Sequence, residues 1–385
     1  MFLHGFLLLT LLGMQAAGTP VQLPPAVQEQ LQSAALAEQS GDWNAAEQAY
    51  RAALEIQPEF APLHAKLGLI YQFQGRFTEA VASIERALTL EPKLPDAHFF
   101  LGLAHYSLYD YRKAVGSFQQ AISQNPENIK AQVYLGVCFL ALQELDKSIE
   151  HLEAVTEKHP QELEALQTLA QAYLNRTRAS YNRFQEVFAR IEEMDPDSVR
   201  THQLLAEAYA GQGRLNQAIE EYEKAVALNP NAPGVNFALG DLYFGLGQYD
   251  KAEPALEQEL KIDPHHPIVN LELGIIKNYR QKFDEAIRHL EAVSRVDDRI
   301  PDAYIALSSA YVAKGRLQDG VAALQRAIAL DPNQPQSHYQ LAQIYKKLGR
   351  TEDAQRELEL FQKLDTQARE KKQRDAGKFL QGDPP

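Results

Sequence analysis

The chain has 385 residues, a formal net charge of −13 and a single cysteine, Cys138. The acidic balance excludes general nucleic-acid binding, which needs a basic footprint, and favours neutral or basic partners; the lone cysteine excludes a disulfide within the chain. Length alone suggests two or three globular domains, and 45% hydrophobic residues suffice for a continuous core.

The first predicted element is a secretory signal over residues 1–18. Phe6 to Met14 form a short apolar run and Ala16-Ala17-Gly18 supply small residues for cleavage. The run is too short to span a bilayer comfortably, and only His4, with no Lys or Arg, precedes it. The expectation is export to the periplasm or the extracellular space, with membrane contact only through this segment if it stays uncleaved. Residues 19–26 follow as a proline-rich leader, predicted to be extended.

From residue 27 onward a repeat takes over. Pro58, Pro92, Pro126 and Pro160 fall thirty-four residues apart, and Pro196, Pro230, Pro264 and Pro332 continue the beat with one lengthened step and one missing proline. With each proline set at place 32 of its unit, place 8 is always small: Ala34, Gly68, Gly102, Gly136, Ala170, Ala206, Gly240, Gly274, Ser308, Ala342. Place 20 is small in every unit but the fifth, where Phe184 stands. Place 24 is large throughout, as in Tyr50, Ile84, Phe118, Leu152, Leu256 and Leu290. Helices approach closely only where side chains are short, so places 8 and 20 are expected to face each other at a crossing point, with the large residues around them.

These residues resemble the tetratricopeptide repeat family over 27–366, in ten units: 27–60, 61–94, 95–128, 129–162, 163–198, 199–232, 233–266, 267–300, 301–334 and 335–366. The resemblance implies an all-α fold, a right-handed α-solenoid superhelix of about ten helix-turn-helix units, each contacting its neighbours. A polar capping helix followed by a disordered tail is expected over 367–385.

Glycines at place 15 (Gly41, Gly75, Gly213, Gly247, Gly315, Gly349) are expected to end first helices in the left-handed conformation. Asp42, Asn216, Asp250 and Asp284 are expected to cap second helices, and Pro254 to be tolerated in the first turns of its helix. Two units are irregular and are candidate bends. The fifth carries two extra residues, and the eighth has Lys277 where most units have an aromatic and Asp298 in place of proline.

The resemblance also implies that first helices line an inner wall at places 2, 5, 9, 12 and 13. Units two to four then present Phe73, Phe99, Leu103, Tyr106, Val133, Val137 and Leu140. Units seven to nine present Phe237, Phe244, Ile268, Leu271, Ile275, Tyr279 and Ile305. Between them stand Gln167, Gln171, Asn175, Arg200, Gln203 and Glu207. Extended apolar surface marks an interaction site, so the partner expected is a protein or peptide segment held at two places. Two readings stay open: a binding groove, or side chains that fill the space between units. Lys130 and Arg200 fall on separate units and Lys346 with Lys347 in the last, so no constellation of converging cations clamps a terminal carboxylate.

His64, His98, His202 and His338 share place 4 and read as recurring packing residues, because equivalent places on packed helices are too far apart to ligate one ion. Cys138 reads as a small buried apolar residue. Arg176, Arg178, Arg183 and Arg190 form either a solvated loop or a contact for an acidic partner, and Asn175-Arg-Thr177 matches a glycosylation acceptor. No phosphate-cradling glycine loop, nucleophile elbow or metal-protease motif is present, so neither an enzyme nor a metal, a cofactor or a nucleic-acid partner is expected. The functional expectation is a non-catalytic scaffold or adaptor. The alternatives are an accessory subunit of an envelope or secretion enzyme carried on a separate chain, and a self-assembling repeat protein.

Overall fold

A computed structural model describes residues 23–176 and 180–381, with side chains to residue 370. The expected signal, the first half of the leader, Thr177 of the glycosylation acceptor, Arg178 and the last four residues lie outside the described residues. Those described form twenty helices and no strand. By backbone contacts the chain divides into two compact units, Met1–Pro196 and Asp197–Pro385, so the division falls at the end of the lengthened fifth repeat, two residues before its last.

The first unit holds α1 (Pro25–Ser40), α2 (Trp43–Ile56), α3 (Ala61–Phe73), α4 (Phe77–Leu90), α5 (Ala97–Ser107), α6 (Tyr111–Gln124), α7 (Ile129–Ala141), α8 (Leu145–Lys158), α9 (Leu163–Arg176) and α10 (Tyr181–Met194). The second holds α11 (Val199–Gly211), α12 (Leu215–Leu228), α13 (Val235–Gly245), α14 (Tyr249–Ile262), α15 (Pro267–Tyr279), α16 (Phe283–Val296), α17 (Pro301–Ala313), α18 (Leu317–Leu330), α19 (Pro335–Lys347) and α20 (Thr351–Gln381). Within each unit every helix packs on the next, and successive first helices also meet, as α13 with α15 and α15 with α17. Two boundaries differ from expectation. Pro25 opens α1, since proline's fixed φ suits a first helical turn. The polar segment after Leu364 is no separate cap but the continuation of α20.

The hairpins close as the small residues require, with one correction to their partners. An added Cβ on Gly68, Gly136, Gly240 or Gly274 would lie 2.5–2.6 Å from Ile84, Leu152, Leu256 or Leu290 respectively. The place-8 residue is therefore small chiefly to seat the large place-24 side chain of its own hairpin. Places 8 and 20 still meet: Ser148 Oγ donates to Gly136 O and Ser308 Oγ to Gly320 O, each at 2.9 Å.

All six place-15 glycines have positive φ, and Tyr109, Gln143 and Gln281 take the same left-handed conformation in units that lack the glycine, at φ 59°, 59° and 60°. Of the four expected caps only Asp42 serves, accepting from Ala45 N at 2.9 Å. Asn216, Asp250 and Asp284 are already second residues of their helices, where the acidic pair meets the positive end of the dipole instead. Helix α14 runs on through Pro254.

The place-4 histidines are polar staples rather than mere packing. His64 Nε2 lies 2.7 Å from Pro58 O and His338 Nε2 3.1 Å from Pro332 O, six residues back. Asn236 makes the same link to Pro230 O at 2.8 Å. Place 4 thus ties each of these first helices to the carbonyl of the inter-unit proline. Cys138 is buried, and burial pushes its thiol up to about 12. The described arginines of the fifth unit are engaged within the chain: Arg176 with Asp146 at 2.7 Å, Arg183 with Glu186 at 3.1 Å, and Arg190 with Pro160 O at 2.9 Å.

Candidate functional site

The structure separates the expected wall residues into core and surface. Phe99 (7% exposed) and Val133 (1%) are core. The Phe99 ring sits 6.0 Å from Phe118 and 6.3 Å from Tyr134, at the seam between the third and fourth hairpins. Leu271 is also buried, packed with Ala303 and Leu307 of the following unit. All three occupy place 5. For Phe99 and Val133 that place turns toward the next hairpin, so the side chain fills the inter-repeat space and the groove reading fails; Leu271 fills the same space but also lines a hollow of the second unit.

The other residues of the first compact unit are half-buried. Phe73 stacks on Trp43 at 4.5 Å, and Tyr106 lies edge-on to Tyr111 and Tyr134. Leu103 and Tyr106 lie against the Phe99–Phe118 cluster, and Val137 and Leu140 are likewise half-buried. A hollow in this unit is lined by Phe77, Tyr106, Ser107, Tyr109 and Tyr111, so it takes in one expected residue.

The second unit brings the expectation together. Phe244 from α13, Ile268, Leu271 and Ile275 from α15, and Ile305 with Ala306 from α17 wall an open hollow of about 400 Å³. It forms because α15 lies between α13 and α17, and place 12 of α13, places 2, 5 and 9 of α15 and place 5 of α17 turn to one side. Ile268 is exposed and Tyr279, nearby in sequence, is 72% exposed with its ring 5.0 Å from Tyr249. Phe237 lies apart, its ring 4.6 Å from that of His266, which caps α15 through Val269 N.

Two lining residues are acidic and fall outside the apolar candidates: Glu272 and Asp302. Glu272 is only 5% exposed, and its Oε2 has no hydrogen-bond partner. Burial pushes its carboxyl up to about 8, and a hydrogen bond with Asp241 of α13 and that residue's charge act in the same direction. Two carboxyls can share a hydrogen bond only if one carries a proton. Asp302 Oδ1 accepts from Gln334 Nε2 at 3.3 Å. The sequence does carry a signal for this: Asp241 and Asp302 stand at inner-wall places 9 and 2 of their units, flanking the apolar set.

The polar residues between the two apolar sets pair along their helices, Gln171 with Asn175 at 3.1 Å and Gln203 with Glu207 at 3.0 Å. Among the described residues no group of three or more His, Cys, Asp or Glu is placed to hold a metal ion. None of the described helices is long and apolar enough to cross a membrane.

Comparisons with known proteins agree on the repeat. Models described as TPR repeat match residues 73–108, 206–247 and 309–349. Models described as Tetratricopeptide repeat match 105–173, 233–266 and 335–367. No curated protein matches the sequence. Among solved structures, the human IFIT1 dimer with m7Gppp-AAAA aligns over 86% of this chain and 80% of its own at 16% identity, with a TM-score of 0.52. The APC/C hetero-tetramer Cut9-Hcn1 aligns over 88% and 84% at 15% identity, TM-score 0.48. TTC0263, a thermophilic TPR protein in Thermus thermophilus, aligns over 52% and 99% at 21% identity, TM-score 0.42. At such identities the likeness concerns the fold alone. The matched models together span more than half of the sequence, and the chain belongs to the tetratricopeptide repeat family.

Proposed function

We propose that the chain is a non-catalytic scaffold that holds a peptide or protein segment, with the hollow between α13, α15 and α17 as the seat. The observation that carries this is the convergence of Phe244, Ile268, Ile275 and Ile305, from three successive first helices, on one open apolar space. Concave, mostly apolar sites with a few placed polar groups are where ligands are held, and the buried carboxyl of Glu272 is such a group. The sequence of residues 1–18 supports an exported scaffold. Although the IFIT1 structure contains m7Gppp-AAAA, a net charge of −13 and carboxylates beside the hollow oppose a capped RNA here.

The test is selection of a random peptide-display library on the full chain, followed by Kd measurements on synthetic peptides. A recurring peptide class is expected, its affinity reduced at least about tenfold by Ile305→Asp while the thermal melt stays cooperative. Absence of any enriched class, or peptides indifferent to Ile305→Asp, counts against the proposal.

A further inference from the structure

We propose that the hollow selects a basic side chain, lysine or arginine, presented between apolar residues of the partner segment, with Glu272 and Asp241 as its counter-charge. This rests on the reading of the hollow as a peptide seat and names what the seat recognises.

A carboxyl oxygen that is buried and unpartnered costs free energy, and native structures rarely keep one without a reason. Here the oxygen, Oε2 of Glu272, belongs to a residue that lines an open hollow; the oxygen itself has almost no exposed surface, so a ligand in the hollow reaches it by displacing the side chains that cover it. The missing partner must be a donor, and the surroundings say which kind. Asp241 shares a hydrogen bond with Glu272, and Asp302 stands at the rim. A ligand carboxylate or phosphate would be repelled.

Neighbouring cations do not answer the charge. Lys277 and Arg280, on the same helix and just beyond it, are held by Glu253, Glu257 and Glu285 of α14 and α16 and by Asp250 of α14. From α16, His289 Nδ1 lies 3.0 Å from Asn270 Oδ1. Lysine and arginine carry apolar stems that match walls of isoleucine and phenylalanine, while their heads reach a carboxylate. Residues beside them in the segment would rest on Ile268, Ile275 and Ile305.

Binding then exchanges one cation for another. Before it, the Glu272 carboxyl holds its proton. When the ammonium or guanidinium arrives, that proton leaves for solvent and the Glu272 carboxylate faces the new charge. Affinity for a basic segment therefore rises with pH through the range in which Glu272 titrates.

The experiment uses the peptides selected on the full chain. Enriched sequences are expected to share a lysine or arginine with apolar neighbours. Replacing that residue by norleucine or citrulline should weaken binding about tenfold or more. For the wild type, Kd should tighten several-fold between about pH 6 and about pH 9, with proton release seen calorimetrically in buffers of different ionisation enthalpy. Glu272→Gln and Asp241→Asn should each weaken binding about tenfold and flatten that pH response, with thermal melts confirming that both fold. Enriched peptides without a shared basic residue, or equal Kd for Glu272→Gln and wild type, would overturn this inference and leave the peptide-seat reading standing. No enriched peptide at all would overturn both.

Discussion

Lys277 Nζ lies 2.6 Å from Glu253 Oε1, both side chains nearly sealed from solvent. In other units the corresponding place holds a tyrosine whose hydroxyl reaches the glutamate twenty residues earlier, as Tyr243 does to Glu223 at 2.5 Å and Tyr311 to Glu291 at 2.9 Å. Lys277 keeps that link, to Glu257 at 3.0 Å, and adds Glu253 and Glu285. The eighth unit is thus a regular hairpin in which an ionic hub replaces a hydroxyl–carboxylate hydrogen bond. Burial alone would lower the lysine's pKa, but the hydrogen bonds to three glutamates outweigh it and the net shift is upward.

Removing the lysine takes one of two cations from the buried Glu253, which keeps Arg280. Lys277→Met should therefore cost at most about 3 kcal/mol, the scale for breaking one side of a buried pair outright. Because the lysine's pKa is raised, its contribution is fully present below the unfolded value of 10.5 and fades only as pH climbs through the higher folded value. The loss on mutation should accordingly be similar at about pH 6 and about pH 8 in urea unfolding.

Gly240 tests the phase of the repeat. Its missing Cβ would sit 2.6 Å from Leu256 Cδ2, so Gly240→Leu must push that side chain out of the hairpin. The expected cost is about 1–3 kcal/mol, read as a lowered Tm. Gln185→Ala, on an exposed face of α10, should leave Tm unchanged. Equal Tm values for Gly240→Leu and wild type would contradict the packing described.

The repeat's phase is legible in the sequence because ten copies average out local accident: a small residue at place 8 and a large one at place 24 recur whatever surrounds them. Second-helix caps are harder to read. Asn216 and Asp284 look like caps, yet each helix begins one residue before them, and a boundary that fine depends on tertiary packing. Place 5 misleads for Phe99 and Val133, since wall position alone does not reveal the tilt of a side chain toward the next hairpin. Glu272 escapes any search for apolar residues, which discards a carboxyl. Its significance appears only once α13 and α17 are seen to enclose it.

Gln281 holds φ at 60° where six sister turns have glycine. A side chain in this conformation costs about 1–2 kcal/mol, and glycine removes that cost at some loss of unfolded-chain entropy. Gln281→Gly should stabilise the second compact unit by roughly 0.5–1 kcal/mol. A shift of the urea midpoint to lower concentration would show that the glutamine makes a compensating contact.

Glu272 predicts how stability depends on pH in the absence of any partner. Its folded pKa of about 8 exceeds the unfolded value of 4.5, so the folded chain binds more protons than the unfolded chain between these values. The sign follows from linkage: stability is greatest below the unfolded pKa and is lost as pH rises through the folded one. Glu272→Gln keeps the shape and removes the titration. The variant should match the wild type near pH 5 and exceed it at about pH 9, by on the order of a few kcal/mol if Glu272 alone sets the difference. Parallel stability curves for the two proteins across that range would show that the carboxyl titrates normally, and the hollow would then have no neutral acid waiting to be displaced.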